Sequence, residues 1–502
     1  MPELVSYPCH SEISLTRKHV ALLLLLTILA VLVHGYHPAV EDGEIYLPGI
    51  KKDLNPALYP FGDQFFMSHA RMTLFDEVIA TSIRISHAPF DYVVFVWHLA
   101  CIFVFLAGCW RVGQSCFAAS RAAWGGTVLV AALLTLPVAG TALYILDPYL
   151  TTRDLSTAGI MLVIANALER RFARAGLWTL AIGAIHPLMI VFAIVLLAIL
   201  YLEQRGWGAV QAKLRAAGAK FALFLPVIWS LKNVSPEYRQ ALDTRAYFFL
   251  LRWAWYEWLG VIGPLALLCW LAHYGQAHGL PKVRILSRAL IVFELIFFAV
   301  ALLLAMPSLL GMALLQPMRC LHLVFILLFV LLGGVLAEQV LKNAAWRWVV
   351  LFVPLCLAMF AAQRALYPST EHLELPGRTP QNLWVQAFEW IRQHTPRAAI
   401  FALDPRHMTL AGEDQHGFRA LAERSMLADA VKDSGAVTMF PALAVDWREQ
   451  VDAQLGWSHF QAQDFQRLRR KYGVSWVVLQ QPGVAGLACP YQNAAVVVCR
   501  VE

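Results

Sequence analysis

The run 169-ERRFARAGLWTLAIGAIHPLMIVFAIVLLAILYLEQR-205 decides how this chain is laid out. From Gly176 to Leu202 it is apolar for roughly 27 residues, enough for one long membrane-spanning helix or for two short ones hinged at His186-Pro187. Lys and Arg favour the cytoplasmic ends of spans. Glu169-Arg170-Arg171 and Arg174 precede the run, and Arg205, Lys213, Arg215 and Lys220 follow it, so both ends belong on one side. That requires two half-length helices, with His186 and Pro187 at the outer turn.

The neighbouring runs have the same character. Val20 to Val33, Tyr92 to Trp110, Trp124 to Leu146, Leu155 to Leu168, Phe221 to Leu231, Trp253 to Ala272, Ala289 to Met306, Cys320 to Ala337 and Trp348 to Ala362 all read as spans. With the split run they make about eleven, several shorter than the ~20 residues of a perpendicular helix and therefore tilted or snorkelling at their ends. The first run follows Arg17 and Lys18 like a signal peptide, but no small-residue cleavage site follows it, so it reads as a retained anchor. The expected fold is a polytopic α-helical membrane protein with its N-terminus inside. The inner segments carry sixteen Lys and Arg against five Asp and Glu, and the outer loops about ten against thirteen, which agrees with that orientation.

The whole composition asks for lipid as solvent: 59% hydrophobic, 15% charged, mean hydropathy +0.58. The net charge of +7 then reports topology, and no nucleic-acid partner is implied. Nine cysteines show no zinc-type spacing. Cys489 and Cys499 flank a strand-like run, and both a disulfide and a pair of free thiols fit.

From Leu366 the chain turns polar. Residues 1–365 therefore read as the transmembrane domain, with a long first outer loop at 36–89, and 366–502 as an extracytoplasmic α/β domain. In the latter, Asn382 to His394 reads as an amphipathic helix burying Trp384, Phe388 and Ile391, and Ala398 to Leu403 as a strand. Gln461 to Tyr472 reads as a basic helix, followed by strands at Val474 to Leu479 and Ala494 to Val501. Phe418-Arg419 and Glu423-Arg424 suggest a charged helix facing either the membrane-embedded site or solvent.

The first outer loop opens with 35-GYHPAVEDGE-44, placing Glu41, Asp42 and Glu44 just beyond a membrane exit. Breaker-rich residues 55–60 and an amphipathic stretch from Ser68 to Ser86, suited to lying flat in the interface, complete it. In layout over most of the chain, and in these few residues, the protein resembles the GT-C superfamily of membrane glycosyltransferases. Glu41-Asp42 is similar to that superfamily's acidic pair. The resemblance implies a multi-pass protein of a bacterial plasma membrane that takes a sugar from a polyprenyl-phosphate donor, with membrane lipid as a partner. It also implies a divalent cation, Mg or Mn, in some members, for which Glu41 and Asp42 are the candidate ligands because hard cations prefer carboxylate oxygens.

The chemistry needs a base and a cation. A sugar hydroxyl is a poor nucleophile, and a carboxylate within hydrogen-bond reach can take its proton as the new bond forms. Asp42 is the candidate base, Glu41 its orienting partner and Glu44 a further substrate contact; a solvated acidic turn is the plainer alternative. Arg319, in 315-LQPMR-319, resembles the superfamily's arginine before a late helix and offers a fork to phosphate; a snorkelling interfacial arginine is the alternative. In the loop from Asn233 to Trp258, Arg245 and Arg252 form a second candidate phosphate clamp with Glu257 as a pairing acid, beside aromatics that read as an interfacial belt. His186 is a further candidate ligand for sugar or phosphate, with a satisfied histidine at a proline-kinked helix as the plainer alternative. Asp147 is a weaker candidate acid, and Glu294 an intramembrane carboxyl.

Three functions remain open on these residues. The first is an integral-membrane glycosyltransferase acting on the non-cytoplasmic face. A transporter or lipid flippase is the second, since broken helices and intramembrane acids also mark translocation paths. The third is a non-catalytic envelope-assembly protein, in which Glu41, Asp42 and Arg319 would share no cavity.

Overall fold

The computed structural model describes residues 15–206 and 234–502. The expected span Phe221 to Leu231, Lys213, Arg215 and Lys220 lie outside the described residues.

Helix α1 (Arg17–His34) runs into the loop at 36–89, which folds into α2 (Gly43–Leu54), α3 (Gln64–Ala70) and α4 (Phe75–Ser86). α5 (Phe90–Cys116) and α6 (Ser120–Ala132) follow, then a short hairpin, β1 (Pro137–Val138) and β2 (Leu143–Tyr144), and α7 (Thr152–Leu168). α8 (Phe172–Ile185) and α9 (Pro187–Arg205) are next, and beyond residue 233 come α10 (Pro236–Asp243), α11 (Trp255–Ala277), α12 (Pro281–Leu304), α13 (Cys320–Leu336) and α14 (Ala345–Leu366). Among the described residues seven stretches are long and apolar enough to cross a membrane, including the composite Ser308–Leu341 around α13; α8 is a shorter apolar helix. Every expected span within the described residues contains a helix, so the chain is a multi-pass helical membrane protein.

The ambiguous run is broken where its proline requires. Pro187 has no amide hydrogen to continue α8, and His186 turns extended (φ −149°, ψ 101°) while its ring accepts from Met189 N at 3.4 Å, capping α9. Ala184 O accepts from Leu74 N at 2.8 Å, which ties the turn to the loop at 36–89. The run Trp124 to Leu146 departs from the expected single span. Its helix stops at Ala132, and the rest forms the β1–β2 hairpin, paired Pro137 with Tyr144 and Val138 with Leu143. Pro137 and Gly140 explain the break: Gly140 lies against the Trp253 indole, so close that a Cβ would collide with the ring. Irregular backbone at membrane depth survives where it lines a cavity, and this hairpin does. α6 packs on α13 through Gly125, Gly126 and Gly333, whose missing side chains let the two backbones touch.

The polar tail is an α/β unit with sheet order β4-β3-β5-β7-β6. α15 (Leu383–His394) precedes β3 (Ile400–Ala402), followed by α16 (Phe418–Ala422), β4 (Ser425–Met426), α17 (Asp433–Met439), α18 (Ala444–Ala453) and α19 (Ala462–Tyr472). β5 (Trp476–Gln480), β6 (Ala488–Gln492) and β7 (Val496–Arg500) close it. β4, β3 and β5 are parallel and β5, β7 and β6 antiparallel. α15 buries Trp384, Phe388 and Ile391 against one face of the sheet, and α19 buries Phe465 and Leu468 against the other. Cys489 and Cys499, on adjacent strands, are joined as a disulfide. The stretch Ser68 to Ser86 is not one helix but the end of α3 and all of α4, separated at Arg71 to Leu74.

This tail is stitched to the loop at 36–89. Tyr36 N donates to His372 O (3.1 Å), Glu374 N to Tyr36 O (2.9 Å) and Gly417 N to Ala39 O (2.8 Å). Glu374 also bonds His37 Nδ1 (2.8 Å) and His416 Nε2 (3.2 Å). Burial pushes the Glu374 carboxyl up, but His416 and His37 outweigh it and hold it at about 2, below its ordinary 4.5. Burial likewise pushes His416 down, and Glu374 lifts it to about 9 from 6.5. The histidine therefore stabilises the docked state fully below pH 6.5 and loses that contribution as pH rises through 9. The carboxylate contributes above pH 4.5 and loses it as pH falls through 2. Melting temperature in detergent should thus be highest between about pH 4.5 and 6.5, and Glu374→Gln should flatten the alkaline decline.

A candidate active site between the loop and the tail

α2 begins immediately after the acidic pair. Asp42 is its cap residue and Glu41 takes a left-handed backbone (φ 52°), an uncommon conformation for a side-chain-bearing residue. Glu41 N donates to Gln415 O of the tail at 2.9 Å, which helps hold the turn. Both carboxylates meet one ammonium: Lys432 Nζ donates to Asp42 Oδ1 at 3.0 Å and also to Glu41 Oε2. Lys432 stands just before α17 in the tail, so the two domains share this site.

The pair opens on a cavity of about 730 Å³. Arg319, Arg245, His186 and Glu257 line it, and so do Asp147, Arg153, Tyr46, His69 and the β1–β2 hairpin. The carboxylates near the start of the chain and the arginine before α13 thus share one cavity. Arg319 sits in a tight turn (Pro317–Arg319) after a left-handed Gln316. Its guanidinium lies 5.9 Å from the Tyr247 ring centroid, its buried Nε has no hydrogen-bond partner, and it makes no ion pair among the described residues. A desolvated guanidinium without a carboxylate is a ready seat for an anion. Arg153, by contrast, is paired with Asp147.

The charges settle one another's protonation. Burial pushes Asp42 up, but Lys432, Arg153 and Arg319 outweigh it and hold its carboxyl well below the usual carboxylate range. Burial pushes Lys432 down, and Asp42 and Glu41 more than reverse that, so it stays an ammonium. For Asp147 burial wins over Arg153, and its carboxyl is raised. His69 is lowered by burial and stays neutral, its ring 5.3 Å from Tyr46.

Of the remaining expected contacts, Arg252 and Glu44 fall outside the cavity, and Arg245 and Glu257 line it with their polar groups engaged by protein. Arg252 is outside the cavity, half exposed, paired with Asp243 at 2.8 Å and stacked over Phe249. Arg245 lines the cavity but spends its guanidinium on the tail, donating to Val431 O and to Ser434 Oγ (3.0 Å). Glu257 accepts from Ala254 N at 2.6 Å, so it caps α11 and pairs with neither arginine. Glu44 does not line the cavity. It is fully buried and accepts from Arg419 N (3.1 Å), Ala420 N (3.0 Å) and Arg419 Nη1 (3.4 Å), with Gly417 against it so tightly that a Cβ there would collide. Arg419 in turn donates to both oxygens of Asp433 (3.0 and 2.8 Å). The charged helix expected around Arg419 therefore faces neither solvent nor the cavity. Lys432 was not anticipated: 390 residues separate it from Asp42, and nothing in its local run 429-DAVKDSG-435 marks it.

A divalent cation does not fit the pair as it stands. The ammonium already holds an oxygen of each acid, and among the described residues no cluster of three or more His, Cys, Asp or Glu forms around a common point.

No protein-family model matches the chain, and no curated protein matches it significantly. Among solved structures it is similar to ArnT from Cupriavidus metallidurans, crystallised with undecaprenyl phosphate, at 14% identity over 97% of this chain and 98% of that one, with a TM-score of 0.38.

Removing Glu44 leaves the buried amides of Arg419 and Ala420 without an acceptor, while Asp433 still holds the Arg419 guanidinium. Glu44→Ala should cost on the order of 3 kcal/mol from the two unsatisfied amides, seen as a lower melting temperature and faster proteolysis between residues 366 and 382.

Proposed function

We propose that this chain is a membrane glycosyltransferase of the GT-C type, moving a sugar from a polyprenyl-phosphate donor to an acceptor hydroxyl on the non-cytoplasmic face. One observation supports the reading above the others: the Glu41–Asp42 pair and the unpaired guanidinium of Arg319 line the same cavity. A base and an anion seat facing one space are what a displacement at an anomeric carbon requires.

In that reaction the acceptor oxygen attacks the anomeric carbon while the bond from that carbon to the phosphate oxygen breaks. The electron pair leaves with the polyprenyl phosphate, whose charge Arg319 meets through its fork of N–H donors. The hydroxyl proton passes to Asp42. A carboxylate held below its usual range is a weak base, yet it suffices, because the attacking oxygen becomes strongly acidic as its bond to carbon forms. The same depression keeps Asp42 ionised at every physiological pH. Tyr46, held by Thr152 at 3.1 Å, and the neutral His69 supply hydrogen-bonding groups for the sugar.

Asp42→Asn is expected to abolish transfer from a polyprenyl-phosphate sugar in proteoliposomes while membrane insertion and elution profile stay unchanged; full activity in that variant would sink the proposal. Arg319→Met should raise the donor KM and lower kcat together, by about a hundredfold in kcat/KM.

A further inference from the structure

The acids belong to the membrane domain and the ammonium that holds them to the soluble tail. Three anchors aim Lys432 at them. Asp429 Oδ1 accepts from Val431 N (2.7 Å) and Lys432 N, fixing the turn before α17. Arg419 grips Asp433, the next residue, while itself held by Glu44 of α2. Arg245 reaches from the loop before α11 to Val431 O and Ser434 Oγ. The Lys432 side chain is only 9% exposed, so its charge is spent on Glu41 and Asp42 rather than on water.

We propose that the tail supplies the active-site cation: the Lys432 ammonium holds Glu41 and Asp42 where a divalent metal would otherwise bind, so catalysis needs no metal and depends on the docked tail. This rests on the glycosyltransferase reading for its catalytic half, but the exclusion of a metal from the acid pair is a property of the cavity alone. Two carboxylates in adjacent positions repel each other unless a cation lies between them. A buried ammonium with a donor to each relieves that repulsion, and the one negative charge left over faces the nearby guanidinium groups of Arg153 and Arg319. Lys432 is thereby a positioning residue: it fixes the orientation of Asp42 and does not itself touch the reacting atoms.

The test uses purified full-length protein in nanodiscs and two independent readouts. In Mn²⁺ titrations followed by electron paramagnetic resonance, the wild type should bind no Mn²⁺ at the acid pair at submillimolar concentration. Lys432→Met should gain one site, which Lys432→Met/Asp42→Asn loses again. In transfer assays the wild type should be indifferent to EDTA. Lys432→Met should fall on the order of a hundredfold in kcat with little change in donor KM, recover in part with Mn²⁺, and be exceeded by Lys432→Arg. A wild-type Mn²⁺ site abolished by Asp42→Asn, wild-type transfer lost to EDTA and restored by Mn²⁺, or an unaltered kcat in Lys432→Met would each overturn the proposal. The two wild-type measurements decide even if the methionine variant misfolds. Absence of any transfer by the wild type would defeat the function reading while leaving the Mn²⁺ result to judge the acid pair.

Discussion

The guanidinium of Arg419, buried between Glu44 and Asp433, is the constraint from which the rest of this architecture follows. Charges taken out of water are costly unless compensated on every side. Here compensation is shared across domains: one acid comes from α2, beside the membrane bundle, and the other from α17 of the tail. Moving the tail away from α2 would strip the Glu44 carboxyl of its three donors and leave Arg419 with only the acids of its own domain. The tail is therefore held at one distance from α2, and the residues next to the anchors, Glu41 and Asp42 on one side and Lys432 on the other, are brought into contact. Burial of charge is spent on register between two domains more than on net stability.

The cavity has a second source in the way the bundle is interrupted. A bilayer tolerates unpaired backbone only where protein or water covers it. The breaks at His186-Pro187 and after Ala132 both open on the space beneath the tail, and each contributes lining: His186 from one, the β1–β2 hairpin from the other. Gly260 sits against Ala139 of the hairpin loop, and Gly140 against Trp253, so α11 and the residues before it press that loop into place. The glycines bring irregular backbone close to a helix, and a polar space remains on the far side.

Much of this was legible in the sequence because membrane helices are dictated by local hydrophobicity. The apolar runs, the split at His186-Pro187 and the amphipathic face of α15 need no long-range information. The Trp124 to Leu146 run misled for the converse reason: hydropathy cannot distinguish a helix from apolar backbone folded into a hairpin, and only Pro137 and Gly140 hinted at the difference. Glu41, Asp42 and Arg319 stand out as charges at membrane exits. Glu44, two residues from Asp42, carries the same local signal yet is buried against the tail. Arg252 and Arg245 differ only in which way their short turns (Ala246–Phe248 and Leu250–Arg252) direct them. Lys432 was invisible because its meaning lies in a partner hundreds of residues away.

The distribution of charge also bears on whether the cavity works as a reaction chamber or as part of a path. A translocation route needs ionisable or polar stations through the depth of the bilayer. Among the described residues the spanning helices carry their Asp, Glu, Lys and Arg near their ends, with Glu294 of α12 as the exception, and its carboxylate finds no hydrogen-bond partner. A single isolated carboxyl among Phe293, Phe297 and Leu290 is not a chain of stations. The matched acids and bases instead gather at one end, under a domain stapled down by a buried arginine. A carrier must release what covers its site in order to alternate access. Here the cover itself contributes the ammonium that organises the acids, so opening it dismantles the site, which suits chemistry performed at one face better than passage across.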